Sequence, residues 1–421
     1  MKELIKKHLY TSRSPVSDEN NNLVQDVASK LNADIIKNKC GSEVLSWIIP
    51  LYWKVIKGQL KDISGNVLVD FKNNPLHLWT NSTSFQGRIT KQELESHILT
   101  DKNRPDLIPY HYKFGFSTSP QNWGFCIAYN DYVKLQDNEY IVDIETELHN
   151  DNYMMTGVKT IKGAENSSTY LFAAHTCHPA IAVDGLTNVI MLMEVFLELA
   201  KRNVKNTYKF VFGSEYYAAA VFLSSLSENE EKSIKGAFFC DLIGADTLPA
   251  YSSSFQGDSL IDSITAHIFK HRVKDYSTYG YRQLIGNDEM FYNGPYYNIP
   301  TVTLGQNVPA YYHSSGDNYE KIDFDMLEKY KGYILDIIDI LETDYVPVLK
   351  YKGPLCLSRY NLYIDCQTNP EGYRHIEAAQ ILADGHTSCF QIAEKIGADY
   401  KFIKDFFDEL IKNSLIDKIH N

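Results

Sequence analysis

The stretch from Tyr170 to Ala200, YLFAAHTCHPAIAVDGLTNVIMLMEVFLELA, decides how the rest of the chain is read. A short β-rich run at 170–174 is followed by a loop carrying His175, His178 and Asp184, and then by an apolar run of helical period at 186–200. Strand, polar loop and helix in that order are the unit from which open α/β sheets are built. Outward from this stretch the alternation repeats. Strands are expected at 170–174, 208–212, 237–239 and 301–304, and helices at 186–200, 217–225, 259–271 and 326–341. The fold class is α/β, with a mostly parallel sheet flanked by helices.

Residues 1–52 add a helix at 22–31, closed by Asn32, and combine with 161–346 into one discontinuous α/β domain. From 53 to 160 the texture changes to alternating, aromatic-rich runs with turn signals at Ser64-Gly65 and Asn73-Asn74-Pro75, which reads as an inserted antiparallel β domain. A linker bearing Pro347 and Pro354 leads into the last region, 347–421. Helical patterns at 376–382, 389–395 and 402–413 followed by an apolar tip suggest a winged helix there. The inserted domain and the winged helix are the surfaces through which a homo-oligomer would form.

The chain has 421 residues, enough for two or three domains that each bury a core. Hydrophobic residues make up 44% and charged residues 22%, with 30 Tyr and 20 Phe, a globular composition. The net charge of −12 repels phosphate backbones and anionic lipid, so nucleic acid is a poor default partner. The apolar run at 189–200 is interrupted by Glu194 and Glu198 and is too short to span a bilayer. Residues 1–14 carry scattered charge and no apolar leader, so a cytoplasmic location is expected. The seven Cys lie far apart, which fits reduced thiols better than a disulfide frame or a cysteine-based zinc site.

Ligands in open α/β sheets collect at the carboxyl ends of strands. Metal-type side chains stand at that edge repeatedly here: His175 after the first strand, Asp184 before the next helix, Glu215 after the second strand, Asp241 at the end of the third and His313 after the fourth. Mixed imidazole and carboxylate donors suit zinc, and a carboxylate between histidines can bridge two ions.

The runs Ala174-His175-Thr176-Cys177-His178-Pro179, Asp184-Gly185-Leu186-Thr187-Asn188, Gly213-Ser214-Glu215, Phe239-Cys240-Asp241-Leu242-Ile243-Gly244 and Tyr312-His313-Ser314-Ser315-Gly316-Asp317-Asn318 resemble, in matching order, the site segments of the di-zinc aminopeptidase and glutamate carboxypeptidase clan. Residues 47–78, Trp123-Gly124-Phe125-Cys126 and Gly286-Asn287-Asp288-Glu289 are similar to a bacterial branch of aminopeptidase-like proteins with an inserted β domain and a C-terminal winged helix. The resemblance implies one or two zinc ions, with His175 and Asp241 on the first, Asp184 bridging, and His313 with Glu215 on the second. The implied reaction is hydrolysis of an amide bond in a small or N-terminal substrate by metal-activated water, with Glu215 as base.

The chain departs from the clan in several places. Ser214-Glu215 stands where typical members have two glutamates, so Glu215 is either base or ligand. Cys177 takes the place of the acidic residue that usually orients the first histidine, a partner worth roughly 10–100-fold in affinity or activity. Gly185 stands where the clan has Asn or Asp, and His178 is an extra imidazole that can replace or supplement His175. Asp288, Glu289, Arg282 and Tyr312 are candidates to contact substrate; the acidic pair can bind an ammonium group or supply the missing base. Asp317 either orients His313 or stabilises its turn.

Other classes fit less well. Gly213-Ser214-Glu215 lacks the second glycine of a serine-hydrolase elbow, and no glycine fingerprint follows the first strand as in a dinucleotide enzyme. A regulator that keeps the α/β domain as an inactive sensor would use the winged helix. Residues 371–421 carry nine acidic and six basic side chains, a balance that favours protein contacts over DNA. A hydrolase acting on an acylated sugar or cell-envelope precursor, or a cyclase, remains compatible with the same fold.

Overall fold

The structure, a computed structural model, describes residues 1–112, 122–164 and 167–419. Among them the largest sheet has eight strands: β1 (Asp34–Lys39), β2 (Tyr153–Ile161), β3 (Thr169–His175), β4 (Thr207–Gly213), β5 (Ile234–Asp241), β6 (Pro249–Ser252), β7 (Ser277–Tyr279) and β8 (Thr301–Gln306). Their spatial order is β1-β2-β4-β3-β5-β8-β6-β7. The four central strands, β4, β3, β5 and β8, run parallel. β1 and β2 on one side, and β6 on the other, attach antiparallel. β3 is buried along its whole length. A parallel strand covered on both faces has no polar alternation, which is why Tyr170–Ala174 is a continuous apolar run.

The longer helices before residue 344 are α1 (Asp18–Leu31), α2 (Leu186–Leu199), α3 (Tyr217–Ser224), α4 (Leu260–Arg272) and α5 (Phe324–Thr343). α1 starts at Ser17, whose side chain accepts the Asn20 N–H, and stops at Asn32 in the left-handed conformation. α2 buries residues on nearly every face because it is packed within the fold rather than lying on its surface. α3 and the inner faces of β3, β4 and β5 share one core that includes Leu171, Ala173, Val211, Phe222 and Phe239.

Within the intervening segment, Val67–Asp70, Tyr52–Lys61, Glu139–His149 and Phe85–Thr90 form an antiparallel four-stranded sheet in that spatial order. Its core includes Trp53, Leu60, Phe125, Tyr140, Val142 and Ile144. One part of the expected insertion lies elsewhere: residues 153–160 belong to β2 of the central sheet. β2 pairs antiparallel on both sides, so its alternation resembles that of the insertion strands that precede it.

The chain divides into two compact units, Met1–Asp262 with Asp275–Gly332, and Ser263–Lys274 with Tyr333–Asn421. The second unit contains α6 (Pro370–Leu382), α7 (Cys389–Ile396) and α8 (Tyr400–Lys412), and its last strand, Ile416–Ile419, pairs antiparallel with Val346–Leu349. It thus takes in residues 263–274 and 333–346, which the sequence had placed in the α/β domain. His267 ties these parts together: Nδ1 lies 2.5 Å from Glu394, and Nε2 accepts the Tyr400 N–H. All seven cysteines are unpaired. No described helix is long and apolar enough to cross a membrane.

Candidate metal centre

Strand register brings the loops to one rim. His175 at the end of β3 lies opposite Gly213 of β4, and Asp241 at the end of β5 lies opposite Gly305 of β8. Asp184 is the focus of the loops beyond. Its Oδ1 lies 3.2 Å from His175 Nε2 and 3.3 Å from His178 Nδ1, while its Oδ2 lies 3.0 Å from His313 Nε2. Asp241 Oδ2 stands 3.4 Å from His175 Nε2.

These separations suit a shared ion. Donors ~2.0–2.1 Å from a tetrahedral zinc stand roughly 3.3 Å from one another. Ligand atoms of His175, His178 and Asp184 all lie within 4.8 Å of each other. Both Asp184 oxygens, together with His175 Nε2, His178 Nδ1 and His313 Nε2, are buried without a hydrogen-bond partner. Buried polar atoms in folded proteins are nearly always satisfied, so five orphans converging on one point fit a cation. Burial alone would raise the Asp184 carboxyl, but His178, His175 and His313 outweigh it and hold the group well below the usual carboxylate range.

The surroundings orient these donors. His175 Nδ1 donates to the Cys177 carbonyl at 3.2 Å, leaving the Nε2 lone pair facing the acids. A peptide oxygen therefore does the work of the acid missing at position 177, and the Cys177 thiol accepts the Glu215 N–H at 3.2 Å. Gly185 has φ +102, and a Cβ there would stand 2.7 Å from His175 Cε1, so the Asn or Asp found elsewhere in the clan does not fit. Asp317 accepts N–H groups from Ala182, Val183 and Asp184 at 3.1, 2.8 and 3.2 Å, which fastens the Asp184 loop to the His313 loop.

Ser214 points away from the centre: its hydroxyl donates to the Pro15 carbonyl and accepts from Asn20 Nδ2. Glu215 points towards it, with Oε2 3.6 Å from His178 Nε2. Burial first, and the negative charges of Asp184, Asp288 and Asp241, push the Glu215 carboxyl up to about 8 against the pull of His175. Tyr216, which follows, gives its N–H to Asp288 at 2.5 Å.

The weaker candidates divide. Asp288 is buried beside this network, and desolvation pushes its carboxyl up to about 6. Glu289 does not face a ligand: fully buried, it accepts the Asn287 N–H at 2.7 and 2.9 Å and pairs with Arg282 at 3.0 Å. Arg282 also donates to the Asn287 carbonyl, so this pair braces its own loop. Tyr312 stacks on His313 with ring centroids 3.9 Å apart. Burial, then the charges of Asp184, Asp241 and Glu215, raise its phenol far above the usual range.

Two contributors carry no motif. The buried Arg13 reaches the loop after His175, donating to the carbonyls of Thr176, His178 and Ile181. From the segment between the insertion strands, the Tyr110 N–H donates to the His313 carbonyl at 2.9 Å, and the ring lies edge-on to His178 and His313 at 5.1 and 5.3 Å. Both interactions use backbone acceptors or ring edges, which leave no pattern in a sequence.

Fold and cluster together define an aminopeptidase-like α/β protein with a candidate histidine–carboxylate metal centre. Over residues 2–344 the chain matches the family described as a domain of unknown function (DUF4910), and it belongs to that family. A Clostridium acetobutylicum protein whose name joins polysaccharide biosynthesis with an aminopeptidase-like domain is 28% identical over 91% of this chain and 88% of its own length. A solved structure from Clostridium acetobutylicum, described as a peptidase, superposes with a TM-score of 0.88 at 25% identity, covering 99% of this chain and 95% of the other. A zinc aminopeptidase from Bacillus subtilis shares the fold at a TM-score of 0.56 and 13% identity, over 80% of this chain and 95% of its own.

Proposed function

We propose that the chain is a zinc-dependent aminopeptidase-like hydrolase that cleaves an amide bond of a small or N-terminal substrate. The observation that carries this reading is Asp184 set between imidazoles at 3.0–3.3 Å, with Asp241 3.4 Å from His175. His175, Asp184, Asp241 and His313 would hold one or two ions. When bound, zinc polarises a carbonyl and acidifies water. Glu215 stands beside this set with its carboxyl near neutrality, the range in which a general base can both take a proton from water and return it to a leaving amine. The rings of Tyr312 and Tyr110 pack against His313, and Tyr110 also against His178, beside the centre.

The name of the Clostridium acetobutylicum relative supports a second reading, an amide hydrolase acting on an acylated amino sugar or cell-envelope precursor. α6, α7, α8 and the final strand follow the order of a winged helix, whose acidic balance favours a protein partner. Metal analysis of the purified protein, followed by turnover assays on aminoacyl amides, dipeptides and N-acylated amino sugars, tests the proposal. Stoichiometric zinc is expected in the wild type and loss of it in Asp184→Ala. Glu215→Gln should keep the metal and lose about 10²–10⁴-fold in turnover. Zinc bound without turnover of any substrate in the panel would overturn the hydrolase reading.

A further inference from the structure

We infer that His178 is a third imidazole ligand of this centre and that Arg13 is the residue that positions it; the inference rests on the metal-site part of the reading above. The clan supplies two glutamates where Ser214-Glu215 supplies one carboxylate, and the structure offers His178 beside it. Its Nδ1 lies 3.3 Å from Asp184 Oδ1 and is buried without a hydrogen-bond partner. Its Nε2 faces Glu215 at 3.6 Å, so the tautomer protonated at Nε2 meets the carboxylate and leaves the Nδ1 lone pair for a cation.

The backbone gives the independent argument. His178 has φ +114, a conformation that a side chain with a Cβ rarely adopts. Such strain persists only where the surroundings enforce it, and it gathers at functional sites. Here one residue enforces it from both sides: the His178 N–H donates to the Arg13 carbonyl at 2.9 Å, and the Arg13 guanidinium donates back to the His178 carbonyl at 2.8 Å. The same guanidinium fixes Thr176 and Ile181, at 3.1 and 2.7 Å, on either side of His178 in the chain. A histidine serving only as core packing would need neither the strained backbone nor an orphaned ring nitrogen. With His178 as ligand, Glu215 is free to act as base, and three imidazoles shift preference from magnesium and manganese towards zinc, cobalt and nickel.

The test titrates chelator-stripped full-length protein with Co²⁺ and follows its visible absorption. His178→Ala is expected to weaken Co²⁺ binding at least ~10-fold and change the band shape, since a nitrogen donor is lost. Arg13→Lys keeps every ligand, so it should keep the stoichiometry while weakening affinity roughly 10-fold and shifting the spectrum. His178→Gly, which can adopt the conformation without strain, should also bind weakly yet melt at a higher temperature than His178→Ala. It therefore preserves the comparison if the alanine variant folds poorly. Wild-type affinity and spectrum in both His178 variants would overturn His178 as ligand while leaving the hydrolase reading in place. The same result in Arg13→Lys would overturn the positioning role. A wild-type protein that takes up no Co²⁺ would overturn the metal site and this inference together.

Discussion

At the scale of single residues, the centre depends on where a Cβ can and cannot be. Gly185 joins the Asp184 loop to α2 at a positive φ with its Cα close against the His175 ring. Gly185→Ala is therefore expected to cost about 1–3 kcal/mol and to turn His175 away from Asp184. A lower urea midpoint and lower zinc content would report the two effects, and an unchanged protein would refute the argument. The places of His175, Asp184, Glu215, Asp241 and His313 at strand and helix ends were legible because each follows or closes a strand or precedes a helix in a recognisable αβ unit. The roles within the pair Ser214-Glu215 were not legible, since a one-residue shift in a turn decides which side chain faces inward. Arg13 was not legible either: its acceptors are peptide carbonyls up to 168 residues away, and any residue can offer one.

At the scale of elements, the parallel strands were the easy part. β3, β4, β5 and β8 are buried on both faces and so appear as short apolar runs between helices. β1, β6 and β7 escaped notice because β1 carries polar residues along its exposed side and the other two are only four and three residues long. Short helices depend more on their ends than long ones do. Glu228–Ser233, before β5, is closed by a capping box in which Glu230 accepts the Ser227 N–H at 3.0 Å and its hydroxyl at 2.8 Å. Those bonds, first the backbone and then the hydroxyl, lower the Glu230 carboxyl to about 2 from 4.5. Because the folded value is the lower one, the stabilisation is full above about pH 4.5 and is lost as pH falls towards 2. Solvent screening of this exposed group keeps the effect to about 0.2–1 kcal/mol. Glu230→Ala should accordingly narrow its stability gap to the wild type between pH 5 and 2 in chemical unfolding experiments, whereas Ser227→Ala should cost about 1 kcal/mol at neutral pH.

At the scale of the molecule, the proposed centre would couple metal to stability. Its proposed donors come from three separate loops of the first unit, His175, His178 and Asp184 from one and Asp241 and His313 from two others, so an unfolded chain cannot gather them, and a cation binding only the folded form adds RT ln(1 + [L]/Kd). Zinc at a hundredfold excess over its dissociation constant should add about 2.7 kcal/mol, seen as a melting temperature raised by roughly 3–5 °C. Asp184→Ala should show no such rise, and an equal rise in that variant would place the zinc elsewhere. The length and composition foresaw a globular chain of more than one unit, but not how the chain divides. Residues 263–274, which include most of α4, group with the C-terminal unit through pairings such as His267 with Glu394, which no local pattern announces.

The contact between Asp317 and the Asp184 loop sets a timetable for biosynthesis. Asp317 holds the peptide N–H groups of residues 182–184 from 133 to 135 positions further along the chain. While the ribosome is still making the intervening residues, Arg13 can already grip the loop after His175, but the other clamp has not been translated. On the proposed reading, metal capture would consequently be a closing event in the birth of this protein, and a prematurely terminated chain would carry most of the sheet and no competent centre.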